Sequence, residues 1–166
     1  MEEQLLAEDN PISSLVVSLR LKAEKAHNIV RRTSRILFPV RMHETGLILA
    51  INELVSGLSD LKQIHIDAKV NGEFGDMPDN LALALYRICH ESAMCAITDL
   101  NANNIHLDIC AQKTCYQMAL QQDGMPWKIS QDSKEWQLIL YRLQSIGGTF
   151  AIDERNDITY QIPQVV

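Results

Sequence analysis

The sequence predicts an α+β protein: a long N-terminal helix with a coiled-coil seam, then a sandwich in which helices cover one face of a small sheet. Three observations predict it. Apolar residues recur at alternating steps of four and three from Ile12 to Leu37, and Pro39 closes the run. Beyond that proline, stretches of helical period alternate with stretches of period two. Hydrophobic residues make up 46% of the 166 residues and charged ones 22%, the balance of a globular chain and not of a disordered one. Two regions are therefore expected, a helical arm over 1–39 and a mixed unit over 40–166.

Asn10-Pro11 starts the arm, with a capping residue followed by proline at the first helical position. Ile12, Val16, Leu19, Ala23, Ala26, Val30, Thr33 and Leu37 then form an unbroken a/d seam. Arg20, Lys22, Glu24, Lys25, Arg31, Arg32 and Arg35 occupy the other faces. Because the seam is narrow and flanked by polar residues, it predicts a dimerising helix; an amphipathic helix lying on its own domain is the plainer alternative.

A second amphipathic helix is expected over 43–57, with Leu47, Ala50, Ile51 and Leu54 on one face and Gly57 as its stop. QIHIDAKV (63–70) alternates and reads as a strand. Asp79 or Asn80 caps the next helix, whose stripe is Leu81, Leu85, Ile88, Ser92, Cys95 and Asp99. NIHLDICAQ and CYQMALQQ form a hairpin that turns near Lys113. DGMPW (123–127) is a break. Residues 133–146 form a helix with Trp136, Ile139, Leu140, Leu143 and Ile146 apolar, stopped by Gly147-Gly148. TFAIDE and ITYQIP pair around Arg155-Asn156-Asp157. The expected sheet has three or four strands.

Composition narrows the function. The net charge is −6 and the pI about 5.3. A binder of nucleic-acid backbones needs a basic excess to displace counterions, so no nucleic-acid partner is expected. No apolar run approaches the roughly 18–20 residues of a membrane span, and MEEQLLAEDN lacks the basic start of a signal peptide. A cytoplasmic chain with no membrane partner is expected. Cys89, Cys95, Cys110 and Cys115 form no C-x-x-C pair, and His27, His43, His65, His90 and His106 are scattered. The cysteines read as reduced, buried and apolar, and no metal site is expected.

Three stretches, in this order, resemble sensor histidine kinases of the subfamily that pairs with LuxR/NarL-type response regulators. RRTSRILFPVRMHETGLILAINEL (31–54) is similar to the end of that family's second dimerisation helix and its lead into the ATPase domain. MPDNLALALYRICHESAMCAI (77–97) resembles its nucleotide-site helix, and the Leu-Tyr-Arg-Ile-x-x-Glu run at 85–91 is the most specific part. YRLQSIGGTFAI (141–152) resembles its R-x-x-x-L-G-G segment. The resemblance implies the GHKL, or Bergerat, α/β sandwich shared by histidine kinases, gyrase-type and chaperone ATPases.

The same resemblance marks where the family's phosphate-handling residues would fall. Glu91 occupies the position of the family's helix glutamate, but the magnesium-holding asparagine is Cys95, and a thiol is a poor ligand for hard Mg²⁺. Thr98-Asp99 stand where a Lys-His pair usually follows. The family's adenine-reading Asp-x-Gly-x-Gly turn falls on Gln122, Gly124 and Pro126, and proline deletes a donor amide. The lid glycines fall at Glu135 and Leu138. In one register the phosphoacceptor histidine is Asp9; in the preferred one its helix is absent. His27 on the arm and His43-Glu44 beyond it do not match the acceptor position.

Scaffold residues are thus retained while the phosphate-handling ones are replaced. This implies a pseudokinase-like regulatory protein in two-component signalling, a homodimer, with no ATP or magnesium cofactor. Its partner would be a response regulator or a kinase, met by Arg31, Arg32, Arg35 and Arg41, since receivers present an acidic pocket. Two alternatives stay open. One is a divergent ATPase or histidine phosphotransfer protein, with Glu91 as base. The other is an anti-activator or ligand-binding module using the former nucleotide cleft, lined by Met94, Cys95, Met118, Met125, Trp127 and Trp136.

Overall fold

The computed structural model describes residues 11–37, 42–75, 77–127 and 133–164, with the side chains of 11–13, 31–33, 35–37 and 42–45 outside the description. The chain divides into two units, Met1–Phe38 and Pro39–Val166.

In the first unit, α1 (Pro11–Leu37) is one uninterrupted helix. Its seam faces water: Val16 is 51% exposed, Leu19 57% and Val30 67%, and Ala23 and Ala26 are exposed too. The side chains of Ile12, Thr33 and Leu37 lie outside the described residues. Glu24, the one acid on the helix, accepts from Arg20 Nε at 3.1 Å.

The second unit begins with α2 (Met42–Lys62), where Gly46 departs from helical geometry at φ 77°, ψ 166°. The expected stop at Gly57 is corrected, because the helix continues to Lys62. Buried Leu54 and Leu58 flank the glycine, and burying them outweighs the roughly 1 kcal/mol that a helical glycine costs. Gln63 ends the helix in the left-handed region at φ 57°, its amide Nε2 donating to Asp60 O at 2.7 Å.

β1 (His65–Asn71) leads to α3 (Asp79–Thr98). The capping expectation is also corrected: Pro78 holds the cap position with no side-chain hydrogen bond, and Asp79 sits in the first turn. β2 (Asn104–Ala111) and β3 (Cys115–Gln122) form the hairpin around Lys113. α4 (Lys134–Ser145) is capped by Ser133, whose Oγ accepts from Trp136 N at 3.2 Å. Leu140, one of the apolar residues of this helix, is 38% exposed, since it lies off the stripe formed by Trp136, Ile139 and Leu143. Gly147, at φ 65°, and Gly148 then turn the chain into β4 (Thr149–Ile152), which pairs with β5 (Ile158–Pro163).

All five strands join one sheet, in the order β1-β2-β3-β5-β4, correcting the expectation of three or four. β1 runs parallel to β2 because α3 carries the chain back across the sheet, as a parallel pair requires. The remaining pairs are antiparallel. The inner face is apolar and buried: Ile105, Leu107, Ile109, Tyr116, Met118, Leu120, Ile158, Tyr160 and Ile162. α3 packs on it, with α2 and α4 at its sides. The outer face is polar or half-buried, carrying Asp67, Lys69, His106, Asp108, Gln117 and Gln121. Cys110 and Cys115 belong to that face and are half-buried, unlike the fully buried Cys89 and Cys95. The expectation of four buried cysteines is corrected for these two, because strand alternation turns them outward.

One polar contact ties α3 to the sheet inside the core. Ser92 Oγ donates to Tyr160 OH at 2.9 Å, with both residues fully buried, and burial raises the Tyr160 hydroxyl pKa above its ordinary value. Ser92→Ala leaves that hydroxyl without its donor, at a cost of about 1–3 kcal/mol. In urea unfolding, the midpoint should fall with an unchanged slope, and adding Tyr160→Phe should recover part of the loss.

Candidate nucleotide site

The residues that the resemblance assigns to a nucleotide site lie on α3, on the turn after β3 and on α4. Glu91, Cys95, Gln122 and Gly124 are engaged within the fold.

Glu91, on α3, is 6% exposed. Arg142, on α4, donates from Nε to both carboxylate oxygens, at 3.0 and 2.8 Å. Burying a carboxylate is costly unless an opposite charge meets it, so this pair fixes α4 against α3. A general base needs a free carboxylate, and Glu91 is the counter-ion of a guanidinium. Beside it, burial and then the charges of Arg87 and Arg142 lower the His90 pKa to about 4, leaving the imidazole neutral near neutral pH.

One turn further along α3, the Cys95 thiol points at Asp99 Oδ2, 3.6 Å away. The same carboxylate oxygen accepts from Ser133 Oγ at 2.7 Å, and Oδ1 accepts from Thr98 Oγ1 at 2.9 Å. Burial, and then the Asp99 charge, push the Cys95 pKa up to about 12. At neutral pH the residue is a protonated thiol, neither a hard oxygen ligand nor a thiolate. Ser133 also caps α4, so Asp99 joins the end of α3 to the start of α4.

Two tryptophans lie next to that junction. Trp136, 2% exposed, is edge-on to Phe150 at 5.2 Å between ring centroids and tilted against Trp127 at 6.2 Å. Asn156 Oδ1 accepts from Trp127 N at 2.8 Å. Neither indole N–H has an acceptor among the described residues.

The turn after β3 is closed by its own side chains. Gln122 Nε2 donates to Met125 O at 2.9 Å, and its Oε1 accepts from Gly124 N. Asp123 Oδ1 accepts from Asn103 N and Asn104 N at 2.8 and 2.9 Å, and Oδ2 from Asn104 Nδ2 at 2.6 Å. Those bonds, led by the Asn104 amide, lower its pKa to about 2. The acceptor that the resemblance assigns to adenine reading, Gln122 Oε1, is therefore used inside the turn, and the Asp123 carboxylate is bonded to Asn103 and Asn104. Gly124 has a packing role: a Cβ there would lie 2.3 Å from Leu100 O. Pro126 is exposed, and Glu135 and Leu138 both lie within α4, Glu135 half-buried and Leu138 45% exposed.

The six residues expected to line an apolar cleft do not converge. Met118 is in the core, where the Cys89 thiol donates to its sulfur at 3.0 Å, and Met125 is 50% exposed. Hydrophobicity marked them, but strand alternation buried one and the turn exposed the other. Trp127 and Trp136 do meet. Of the arginine cluster, Arg41 and the side chains of Arg31, Arg32 and Arg35 lie outside the described residues, as do Asp9 and the side chain of His43.

Sequence reasoning missed Arg142, Asp99, Ser133 and Asn156 as partners. Only Arg142 carried a signal, as the arginine of the R-x-x-x-L-G-G segment. It also read the histidines as scattered, yet strand register sets His106 beside Asp67, with Nδ1 2.6 Å from Asp67 Oδ2, and His65 Nε2 lies 3.9 Å from the other oxygen. Among the described residues, no three His, Cys, Asp or Glu side chains are grouped to hold a metal ion, and no helix is long and apolar enough to cross a membrane.

With this geometry in hand, the chain can be set beside known proteins. It has the fold of histidine-kinase ATPase domains of the GHKL type. It superposes on a blue-light activated histidine kinase of Erythrobacter litoralis with a TM-score of 0.63 at 12% identity, covering 92% of this chain and 58% of that one, less than two thirds of its length. The isolated histidine kinase domain of the same protein gives a TM-score of 0.59 at 14% identity, over 98% of this chain and 92% of the domain. The ATP binding domain of PrrB from Mycobacterium tuberculosis gives 0.50 at 14% identity, over 68% and 92%. No family model matches the sequence, and no curated protein does.

The Glu91–Arg142 pair makes a direct stability prediction. Arg142→Ala leaves a buried carboxylate unpaired and should cost about 3 kcal/mol, the low end of the range for a broken buried pair, because Arg142 is 29% exposed. Urea unfolding measures it. Replacing both residues with apolar ones, Glu91→Leu with Arg142→Met, should restore most of the loss.

Proposed function

We propose that the protein is a non-catalytic, histidine-kinase-like regulatory module that pairs through α1 and acts by binding a two-component signalling partner, a response regulator or a kinase. One observation carries the reading: the groups that would handle a nucleotide are committed to internal bonds. Glu91 neutralises Arg142, Asp99 ties Ser133 and Cys95, Gln122 bonds within its own turn, and Asp123 accepts from the amides of Asn103 and Asn104.

Phosphoryl transfer depends on positioning and on neutralising charge at the phosphates. A metal supplies several kcal/mol of that stabilisation, and every 1.4 kcal/mol or so is a factor of ten in rate. A protonated thiol at the magnesium position forgoes it. The fold is kept because its stability rests on the buried stripe of α3 and the inner sheet face, not on the lost ligands. No ATP or magnesium is used under this reading.

Pairing follows from α1. A heptad seam with Leu19 and Val30 more than half exposed is apolar surface in search of cover, and a second copy offers the same seam. Helix α1 also carries six basic residues against the single acid Glu24, in a chain that is acidic overall. Arg31, Arg32 and Arg35 near its end, and Arg41 shortly beyond it in the sequence, suit an acidic receiver surface, which such charges would steer. A second reading, a ligand-binding module at the former cleft, draws on the two buried indole N–H groups that lack an acceptor among the described residues.

Calorimetric titration with a nonhydrolysable ATP analogue and Mg²⁺ should show no saturable heat at ligand concentrations up to about 1 mM. Micromolar, magnesium-dependent binding would overturn the reading in favour of a divergent ATPase. Light scattering should give a dimer for the native chain and a monomer for Val16→Glu with Leu19→Glu; a monomeric native chain at tens of micromolar would remove the pairing.

A further inference from the structure

The β2–β3 hairpin brings two accessible thiols under one side chain. Cys110 and Cys115 are both free, both half-buried, and both on the outer sheet face. Cys110 lies opposite Gln117 and Cys115 precedes that residue by two, so the cysteines are diagonal neighbours. The Gln112 amide spans them: its Nε2 donates to Cys110 Sγ at 3.8 Å, and its Oε1 accepts from the Cys115 thiol at 3.5 Å.

The register decides what such a pair can do. Diagonal positions across an antiparallel pair have Cα atoms about 7–8 Å apart. A disulfide needs about 4.4–6.8 Å between Cα atoms and about 3.8 Å between Cβ atoms, so the pair is too widely spaced for one. Two metal–thiolate bonds of about 2.3 Å each, set end to end, instead hold the sulfurs about 4.6 Å apart, which suits the wider spacing.

The surroundings select the ion. No third His, Cys, Asp or Glu joins the two thiols into a metal-holding group among the described residues, so four-coordinate zinc has too few ligands. The register neighbours are Asn71 and Gln117 beside Cys110, and Pro163 beside Cys115. None is a carboxylate that would favour a hard ion. Soft thiolates favour copper(I), which accepts two sulfur ligands in line. The hairpin tip is also held: Gln164 N donates to Thr114 O at 3.0 Å, and Gln164 Nε2 donates to Gln112 O at 2.9 Å.

We propose that Cys110 and Cys115 form a two-thiolate site for a soft monovalent ion, copper(I). Binding replaces two S–H bonds with two Cu–S bonds, releases two protons to solvent, and leaves copper in the +1 state, so no oxidant or reductant is required.

Anaerobic titration of the reduced full-length protein with copper(I), in competition with bicinchoninate, tests it. One equivalent per chain should be retained against the chelator. Cys110→Ser and Cys115→Ser should each lower the affinity at least 100-fold while circular dichroism stays native. X-ray absorption of the loaded protein should show two sulfur neighbours. Copper retained by the double variant Cys110→Ser/Cys115→Ser, or no retention by the native chain, would overturn the proposal. So would a Cys110–Cys115 disulfide formed under a mild oxidant, because it would contradict the spacing.

Discussion

A carboxylate withdrawn from water must be met by an opposite charge, and in this protein that requirement fixes the relation of two helices. Glu91 is buried on the side of α3, and Arg142 reaches it from α4 with contacts to both oxygens. Once that pair forms, the start of α4 lies against the end of α3, where Ser133 meets Asp99 and Trp136 fills the space beside Phe150. Polar residues that the resemblance assigns to a nucleotide site here hold helices and turns together. The fold and the reading of its function thus rest on the same few contacts.

The turn after β3 repeats the pattern on a smaller scale. Gln122 bonds within its own turn, and Asp123 satisfies the amides of Asn103 and Asn104. Gly124 brings the turn against Leu100, where no side chain fits. A glycine that the resemblance places in an adenine-reading turn serves close packing of two loops. Residue type at a family position is therefore a weaker guide to chemistry than the bonds that residue makes.

Much of the fold was legible in the sequence. Periodicity located the four helices and five strands of the described residues, because each carries one apolar stripe or face. It gave the β2–β3 and β4–β5 pairings as well, but not the place of β1 in the sheet or the β3–β5 pairing. Whether the 65–71 segment joins the sheet depends on the α3 crossover, and the length of α2 depends on Leu58, beyond the expected glycine stop; both are settled by tertiary packing. At the site, Glu91, Cys95 and Gln122 were found by resemblance. Arg142, Asp99, Ser133 and Asn156 were not, since the contacts Glu91–Arg142, Asp99–Ser133 and Trp127–Asn156 span 29 to 51 residues in sequence and no local spacing marks them. The outward thiols were misread because cysteine is usually buried, whereas their strand alternation already pointed the other way.

The tryptophan pair has a practical consequence. The chain holds only two tryptophans, and both lie in the corner where α4 meets β4. Its tryptophan emission should therefore originate in that corner, at the short wavelengths expected of buried rings. Loosening of this one junction is visible optically without any attached dye, even while the rest of the sheet keeps its far-ultraviolet dichroism.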